Sequence, residues 1–198
     1  METATDIREL NEKIEKESSF IELINREMEG VIIGQRYMID RMMICLLSNG
    51  HLLLEGVPGL AKTLAIKSLS STIHADFSRI QFTPDLLPAD ILGVSVYSRE
   101  SESFSFHPGP IFAQLILADE VNRATPRAQS ALLEAMEEQQ VTIEGVTRSL
   151  PDPFFLIATQ NPSNQIGTFP LPESQLDRFT MRVTLGYPNA EAERELLK

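Results

Sequence analysis

The chain has 198 residues, of which 42% are hydrophobic and 23% charged, and its formal net charge is −11. This composition fits one globular domain with a sizeable core. The acidic excess counts against nucleic acid as a partner, because general electrostatic binding of nucleic acid needs a basic face. Cys45 is the only cysteine, so a disulfide framework and a thiolate metal cluster are excluded. Its apolar neighbours predict a buried small hydrophobe.

The first fifty residues contain two predicted helices. Apolar residues recur at helical spacing over 6–28, which predicts one amphipathic helix. A second helix is expected over 37–48, ended by Asn49-Gly50. The charged N-terminus lacks the pattern of a signal peptide, and no apolar run approaches the ~20 residues of a membrane span. We therefore expect a soluble, cytoplasmic protein.

Strands and helices alternate through the rest of the chain, which predicts a parallel sheet with helices on both faces. Apolar runs predict five strands, over 51–55, 77–82, 114–119, 154–159 and 180–185. Helices are expected between them, over 62–74, 125–139 and 172–178. Two insertions, around 94–106 and 141–150, have the pattern of β-hairpins. The alternative is that both insertions merely extend the sheet edge.

A glycine-containing loop ending in Lys-Thr joins the first predicted strand to the next helix. Its sequence is Gly56-Val57-Pro58-Gly59-Leu60-Ala61-Lys62-Thr63. Such a loop surrounds a triphosphate with backbone N–H groups at a helix N-terminus, while the lysine adds positive charge and the threonine hydroxyl can ligate Mg²⁺. Pro58 has no N–H, so the phosphate-binding amides are expected from residues 59–63. The alternative is an ordinary strand-to-helix connection with a solvated lysine.

One position departs from the strict form of this loop, which has glycine immediately before the lysine, where Ala61 stands. If Ala61 needed a positive φ, alanine would be strained by roughly 1 kcal/mol or more. If Ala61 already belongs to the first helical turn, alanine is favourable. We prefer the second interpretation, because a run of strong helix formers follows at once.

Polar residues at the ends of two later strands complete a candidate catalytic set. Asp119 and Glu120 end a buried strand, where Asp119 can hold Mg²⁺ and Glu120 can orient and polarise an attacking water. The alternative is a solvated acidic turn. Asn161 follows another buried strand and can position the water, although Asn-Pro is also a common turn signal. Arg178 lies on a short predicted helix and is either an ordinary solvated or ion-paired residue or an arginine finger.

At these four places the chain resembles the AAA+ ATPases and, within them, the MoxR family. The similar segments are the phosphate loop, ADEVNRA, ATQNP and LPESQLDRF, and the alanine before the loop lysine is itself similar to the MoxR form. The resemblance implies a P-loop NTPase three-layer α/β sandwich with a five-stranded parallel sheet and two β-hairpin insertions. It also implies ATP and Mg²⁺ as cofactors. The implied site residues are Lys62 and Thr63 (Walker A), Asp119 and Glu120 (Walker B), Asn161 (sensor 1) and Arg178 (arginine finger). The implied nucleotide-binding residues are Ile33, Gly34, Gly56, Val57, Pro58, Gly59, Leu60, Ala61, Lys62, Thr63 and Leu64.

The resemblance further implies ATP hydrolysis coupled to the remodelling of partner proteins by a chaperone-like homo-oligomeric ring, a hexamer when a helical lid is present. A von Willebrand factor A domain protein is the implied partner, and the hairpins are expected to face the pore of the ring. Segment 83–85 is expected to include a residue that switches Glu120.

The expected organisation is an N-terminal helix over 1–30, a nucleotide-binding subdomain over 31–190, and over 191–198 the start of a helix leading to a lid that this sequence lacks. Two other classes stay open, a nucleic-acid-dependent AAA+ motor and a nucleotide-binding interaction module with little turnover.

Overall fold

A five-stranded parallel sheet forms the centre of the molecule. The computed structural model describes residues 4–56, 61–100, 102–161, 167–186 and 194. Every pairing in the sheet is parallel, so the predicted α/β class is confirmed. In sheet order the strands are β2 (Phe77–Gln81), β5 (Leu115–Asp119), β8 (Phe155–Gln160), β1 (Leu52–Glu55) and β9 (Met181–Thr184).

Helices cover both faces of this sheet and give the predicted three layers. One face carries α1 (Ala4–Val31), α2 (Arg36–Leu47) and α3 (Lys62–Thr72), and the other carries α4 (Pro88–Leu92), α5 (Pro126–Glu138) and α6 (Glu173–Leu176). Successive strand residues face opposite layers: Leu52 and Leu54 pack with α1 to α3, and Leu53 packs with α5. A strand buried on both faces is an unbroken apolar run, which is why these strands are recognisable in the sequence.

Most predicted element boundaries agree with the structure to within a few residues, and the differences are local. The helix α1 is longer than the predicted 6–28, whereas α6 is shorter than 172–178. The short helix α4 has no counterpart in the prediction. It begins with Pro88 after Leu87, whose N–H donates to the Asp90 carboxylate at 2.9 Å. A proline at the first helical position and a side-chain cap are the signals that identify this helix.

Both predicted hairpins are present, and each is a sheet of its own. The first pairs β3 (Gly93–Ser98) with β4 (Ser103–Pro108), and the second pairs β6 (Gln140–Ile143) with β7 (Val146–Ser149). The turn of the second hairpin has φ 52° at Glu144 and φ 76° at Gly145. Two left-handed residues in succession twist the strands of a tight hairpin correctly. Neither pair joins the central sheet, so the alternative that they extend its edge is wrong.

The amphipathic character of α1 is used only in its second half. Ile24 and Met28 are buried against the body of the protein, whereas Ile7, Leu10 and Ile14 are each more than half exposed. None of the helices in the described ranges combines the length and the apolar character needed to cross a bilayer. Cys45 in α2 is fully buried, and this burial raises the pKa of its thiol to about 11. The prediction of a buried small hydrophobe at Cys45 is therefore confirmed.

His51 is a buried histidine at the start of β1, with 6% of its surface exposed. The N–H of Leu156 donates to its Nδ1 at 3.2 Å, so this nitrogen carries no hydrogen. Its Nε2 therefore carries the hydrogen and donates to the carbonyl of Met136 at 3.3 Å. Burial lowers the pKa of His51 to about 4, which the bond to Met136 partly opposes. Protonation would place a hydrogen on Nδ1, where it would face the N–H donor of Leu156.

We expect His51 to make the fold sensitive to mild acid. An unfolded histidine titrates near pH 6.5, so between about pH 6.5 and 4 the unfolded chain binds a proton that the folded chain does not. The stability from neutral His51 is fully present above this window and is lost as the pH falls through it. From about pH 7 to 5, the free energy of unfolding should fall by about 2 kcal/mol more in the wild type than in His51→Gln. Urea denaturation at both pH values measures this, and equal pH dependence in the two proteins would contradict it.

Candidate active site

The predicted phosphate loop begins at the end of β1 and ends at the start of α3. Gly56 follows β1, and its N–H donates to the carbonyl of Gln160 in β8 at 3.4 Å. Thr63 and Leu64 are exposed in the first turn of α3. The phosphate contacts predicted for the loop centre stay predictions, because those residues lie outside the described ranges; they are Val57, Pro58, Gly59 and Leu60.

The preferred interpretation of Ala61 is wrong. Ala61 is the N-cap of α3 and lies in the left-handed region, with φ 54° and ψ 18°, rather than in the first helical turn. Its carbonyl nevertheless accepts the N–H of Ala65 at 2.9 Å, so the helical hydrogen bonds begin at this residue. The backbone therefore turns at Ala61 before the helix begins. The run of helix-forming residues that follows Ala61 does not indicate this turn. A residue with a Cβ in this region costs about 1 kcal/mol, which is the strain that the strict glycine would avoid.

Lys62 brings a buried positive charge to the carboxyl end of the sheet. Its Nζ donates to the carbonyl of Gly56 at 3.0 Å, and only 9% of the residue is exposed. Burial lowers the pKa of Lys62, and the nearby carboxylates of Asp119 and Glu120 oppose this shift. The predicted lysine and the two predicted carboxylates therefore lie at the same carboxyl edge of the sheet, after β1 and at the end of β5.

The Thr159 hydroxyl orients the two acidic residues that follow β5. It donates to Oδ1 of Asp119 at 2.5 Å and accepts the N–H of Glu120 at 2.9 Å. Thr159 lies in β8, next to β5, and is 1% exposed. Glu120 adopts the left-handed conformation, with φ 58° and ψ 48°, which turns the chain at this point. One buried hydroxyl thus fixes the side chain of one acid and the backbone of the other.

The carboxylate of Glu120 is surrounded by hydrogen-bond donors. Nδ2 of Asn161 donates to Oε1 at 3.0 Å, while Nε2 of Gln81 and Nη1 of Arg123 reach Oε2 at 3.1 and 2.9 Å. Glu120 and Asn161, which were predicted separately at the ends of two strands, are therefore in direct contact. Gln81, Arg123 and Thr159 were not predicted. Gln81 could have been found from the register, because it pairs with Asp119 at the end of the neighbouring strand β2.

The segment expected to contain a switch for Glu120 has a different internal contact. Thr83 hydrogen-bonds the Asp85 carboxylate, which lowers the pKa of Asp85. The residue of this region whose contact with Glu120 is described is Gln81, at the end of β2. A switching role for a residue of 83–85 stays a prediction.

Two groups of predicted residues lie apart from this cluster. Arg178 donates to the carbonyl of Leu133 at 2.9 Å and pairs with Glu137 at 2.9 Å, both in α5. These contacts are on the side of the sheet opposite to α3. Ile33 and Gly34 lie between α1 and α2, where Gly34 has φ 75°. Their predicted contact with adenine stays a prediction.

Comparison with known proteins identifies the family. The model of the ATPase family associated with various cellular activities (AAA) matches residues 51–181. The chain belongs to this AAA family. The match spans four of the five strands of the sheet, both hairpins and all four predicted catalytic residues, Lys62, Glu120, Asn161 and Arg178.

The relatives of this AAA chain include MoxR proteins, which confirms the predicted kinship. It is 51% identical over 177 residues to the uncharacterized protein YeaC of Bacillus subtilis, covering 89% of the chain and 54% of YeaC. It is 50% identical over 171 residues to Chaperone MoxR1 of Mycobacterium tuberculosis, covering 86% of the chain and 45% of MoxR1. The crystal structure of a candidate ATPase from Cytophaga hutchinsonii is 48% identical and superposes with a TM-score of 0.85, covering 98% of this chain and 59% of that one. The chain thus spans about half the length of the curated relatives it matches.

The donor chemistry of the AAA site fits Mg²⁺. In the described part of the chain, no group of three or more His, Cys, Asp or Glu side chains could hold a metal ion by itself. Mg²⁺ in nucleotide sites differs from such all-protein sites, because one or two protein oxygens, water and the phosphates hold it. Asp119 offers a carboxylate held in place by Thr159, and Thr63 offers an exposed hydroxyl. These oxygens are the donors that a phosphate-bound Mg²⁺ requires.

Proposed function

We propose that this chain is the ATP-hydrolysing part of a MoxR-type AAA+ ATPase that remodels partner proteins in a chaperone-like way. Its membership of the AAA family supports ATPase activity in general, and its 50% identity to Chaperone MoxR1 supports the chaperone class. The observation that carries the proposal is that Lys62, held against Gly56 after β1, and Asp119 and Glu120, at the end of β5, lie at the same carboxyl edge of a parallel sheet. Ligands of open α/β sheets bind at this end.

In this proposal, the side chains of the site act by position and charge. Lys62 neutralises negative charge that develops on the transferred phosphoryl group, together with backbone N–H groups at the start of α3. Glu120 aligns and activates the attacking water. Asn161 supports this step, since its amide already contacts the Glu120 carboxylate and fixes the direction of its oxygens. Thr63 and Asp119 would hold Mg²⁺, which supplies electrostatic stabilisation of the phosphate oxygens when bound.

The assembly is also part of the proposal. AAA proteins are typically oligomeric, and we propose a homo-oligomeric ring, hexameric in the presence of a lid, in which Arg178 of one protomer serves the nucleotide of the next. We further propose a cytoplasmic protein whose partner carries a von Willebrand factor A domain. Since the chain spans about half of its curated relatives, these proposals concern the whole protein.

The first experiment measures nucleotide binding. Lys62→Met removes the buried charge but keeps an unbranched stem, and we expect ATP to bind about tenfold to a hundredfold more weakly, the loss of one charged hydrogen bond to phosphate. Lys67→Met is the matched control, because it removes the same charge from an exposed position of α3. Isothermal titration with a non-hydrolysable ATP analogue gives the affinities. Equal binding by Lys62→Met and Lys67→Met would refute a nucleotide site at Lys62.

Turnover separates this proposal from the two alternatives. ATP binding without measurable phosphate release, under conditions of self-association, would favour a nucleotide-binding interaction module. Stimulation of phosphate release by DNA would favour a nucleic-acid motor, against which the net charge of −11 counts.

A further inference from the structure

Arg79 in the edge strand β2 contacts the acidic residue that is proposed to hold Mg²⁺. Its Nη2 lies 2.6 Å from Oδ2 of Asp119 and 2.7 Å from Oε1 of Gln81. The side chain is 46% exposed, so it reaches the carboxylate from the open edge of the sheet. The other oxygen of Asp119 already accepts the hydroxyl of Thr159 at 2.5 Å. Each oxygen of this carboxylate therefore has a close donor within the chain.

The guanidinium of Arg79 and a divalent cation would compete for the carboxylate of Asp119. Two like charges on one carboxylate repel each other, and the oxygen that bonds Arg79 is shared or lost when a second cation arrives. Arg79 also holds Gln81, whose amide bonds Glu120, so a movement of Arg79 would reach both acids.

We propose that Arg79 is a built-in competitor of Mg²⁺ for Asp119, and that it sets the Mg²⁺ concentration at which the nucleotide site is loaded. The inference rests on the proposed function and adds a residue that acts through Asp119 rather than on the substrate. It predicts that loss of the Arg79 charge makes the site bind Mg²⁺ more tightly. A residue that merely oriented Asp119 for the metal would have the opposite effect when removed.

The test follows Mg²⁺ loading directly, without turnover. MgCl₂ is titrated into the protein with a fixed concentration of a fluorescent, non-hydrolysable ATP analogue, and the half-saturating Mg²⁺ concentration is read from the fluorescence. For Arg79→Met we expect this concentration to fall about twofold to fivefold, the upper part of the range for breaking one partly exposed ion pair. Arg79→Lys, which keeps the charge, should stay close to the wild type. Arg99→Met is the matched control, since it removes one charge from an exposed position after β3.

The outcomes distinguish this inference from the proposed function. If analogue binding is intact in the wild type but the half-saturating concentration in Arg79→Met is unchanged or higher, the role proposed for Arg79 is overturned. The proposed function is not affected by this result. No analogue binding by the wild type at any Mg²⁺ concentration overturns the proposed function, and the inference with it. Thermal melts confirm that each variant is folded, and Arg79→Gln repeats the charge loss if the methionine variant unfolds.

Discussion

Glu120→Gln is expected to lower kcat for ATP hydrolysis by about 10²- to 10⁴-fold while leaving ATP affinity within a few-fold of the wild type. Glutamine keeps the size of the side chain and one acceptor oxygen but cannot take a proton from water. In the structure, Asn161 donates to one oxygen of Glu120, and Gln81 and Arg123 donate to the other. The new amide can satisfy only one of these two sides. Some loss of stability, of about 1 kcal/mol, should therefore accompany the loss of activity.

The measurement pairs phosphate release with equilibrium binding of ATP on the same preparation. Glu138→Gln is the matched control, because it neutralises an exposed glutamate at the end of α5. A parallel loss of binding and turnover in Glu120→Gln would mean that Glu120 maintains the structure of the site. Turnover equal to that of the control would show that another group activates the water.

The central sheet could be predicted because its signal is local. Strands buried on both faces are continuous apolar runs, and parallel strands need helices between them, so alternation alone gives the class. The order of the strands is a different matter. β2 lies at one edge beside β5, and β1 lies between β8 and β9. This order depends on which helices cover which face of the sheet. No single segment of the sequence encodes that order.

The candidate site divides in the same way. Lys62, Asp119 and Asn161 follow buried strands or a glycine loop, so type and position together indicated them. Arg79 and Gln81 belong to the strand β2, whose exposed residues resemble any other strand surface in the sequence. They become visible only when the register sets Gln81 beside Asp119. Thr159 is similar, since a threonine in a buried strand has no sequence signal until its neighbour strand is known.

Ala61 shows a different limit. Helix propensity correctly predicted the helix after it but not the left-handed turn before it. Propensity sums over a window, whereas the conformation of one N-cap residue is imposed by the path of the loop. The chain keeps alanine at a position where glycine would be unstrained.

Arg178→Ala is expected to lower kcat by about 10³- to 10⁵-fold, the range for loss of an arginine finger. The side chain of Arg178 has its described hydrogen-bond and ion-pair partners in α5, at Leu133 and Glu137. Its side chain is 33% exposed, so it is accessible to a neighbouring molecule. If Arg178 had no function beyond these contacts, its removal would lower the free energy of unfolding by about 1 kcal/mol and would leave kcat unchanged.

Glu137→Gln separates the two roles, because it removes the same ion pair and leaves the arginine in place. If Arg178 acts on a neighbouring nucleotide, Glu137→Gln keeps most of its activity and Arg178→Ala loses nearly all. If the ion pair itself is what matters, both variants lose activity to a similar extent.

Mixing two inactive variants provides the sharper measurement. Arg178→Ala and Glu120→Gln protomers are each inactive alone, but an interface in which the first supplies Glu120 and the second supplies Arg178 is complete. Recovery of phosphate release on mixing therefore requires that Arg178 acts between protomers, and a mixture as inactive as its parts would contradict it.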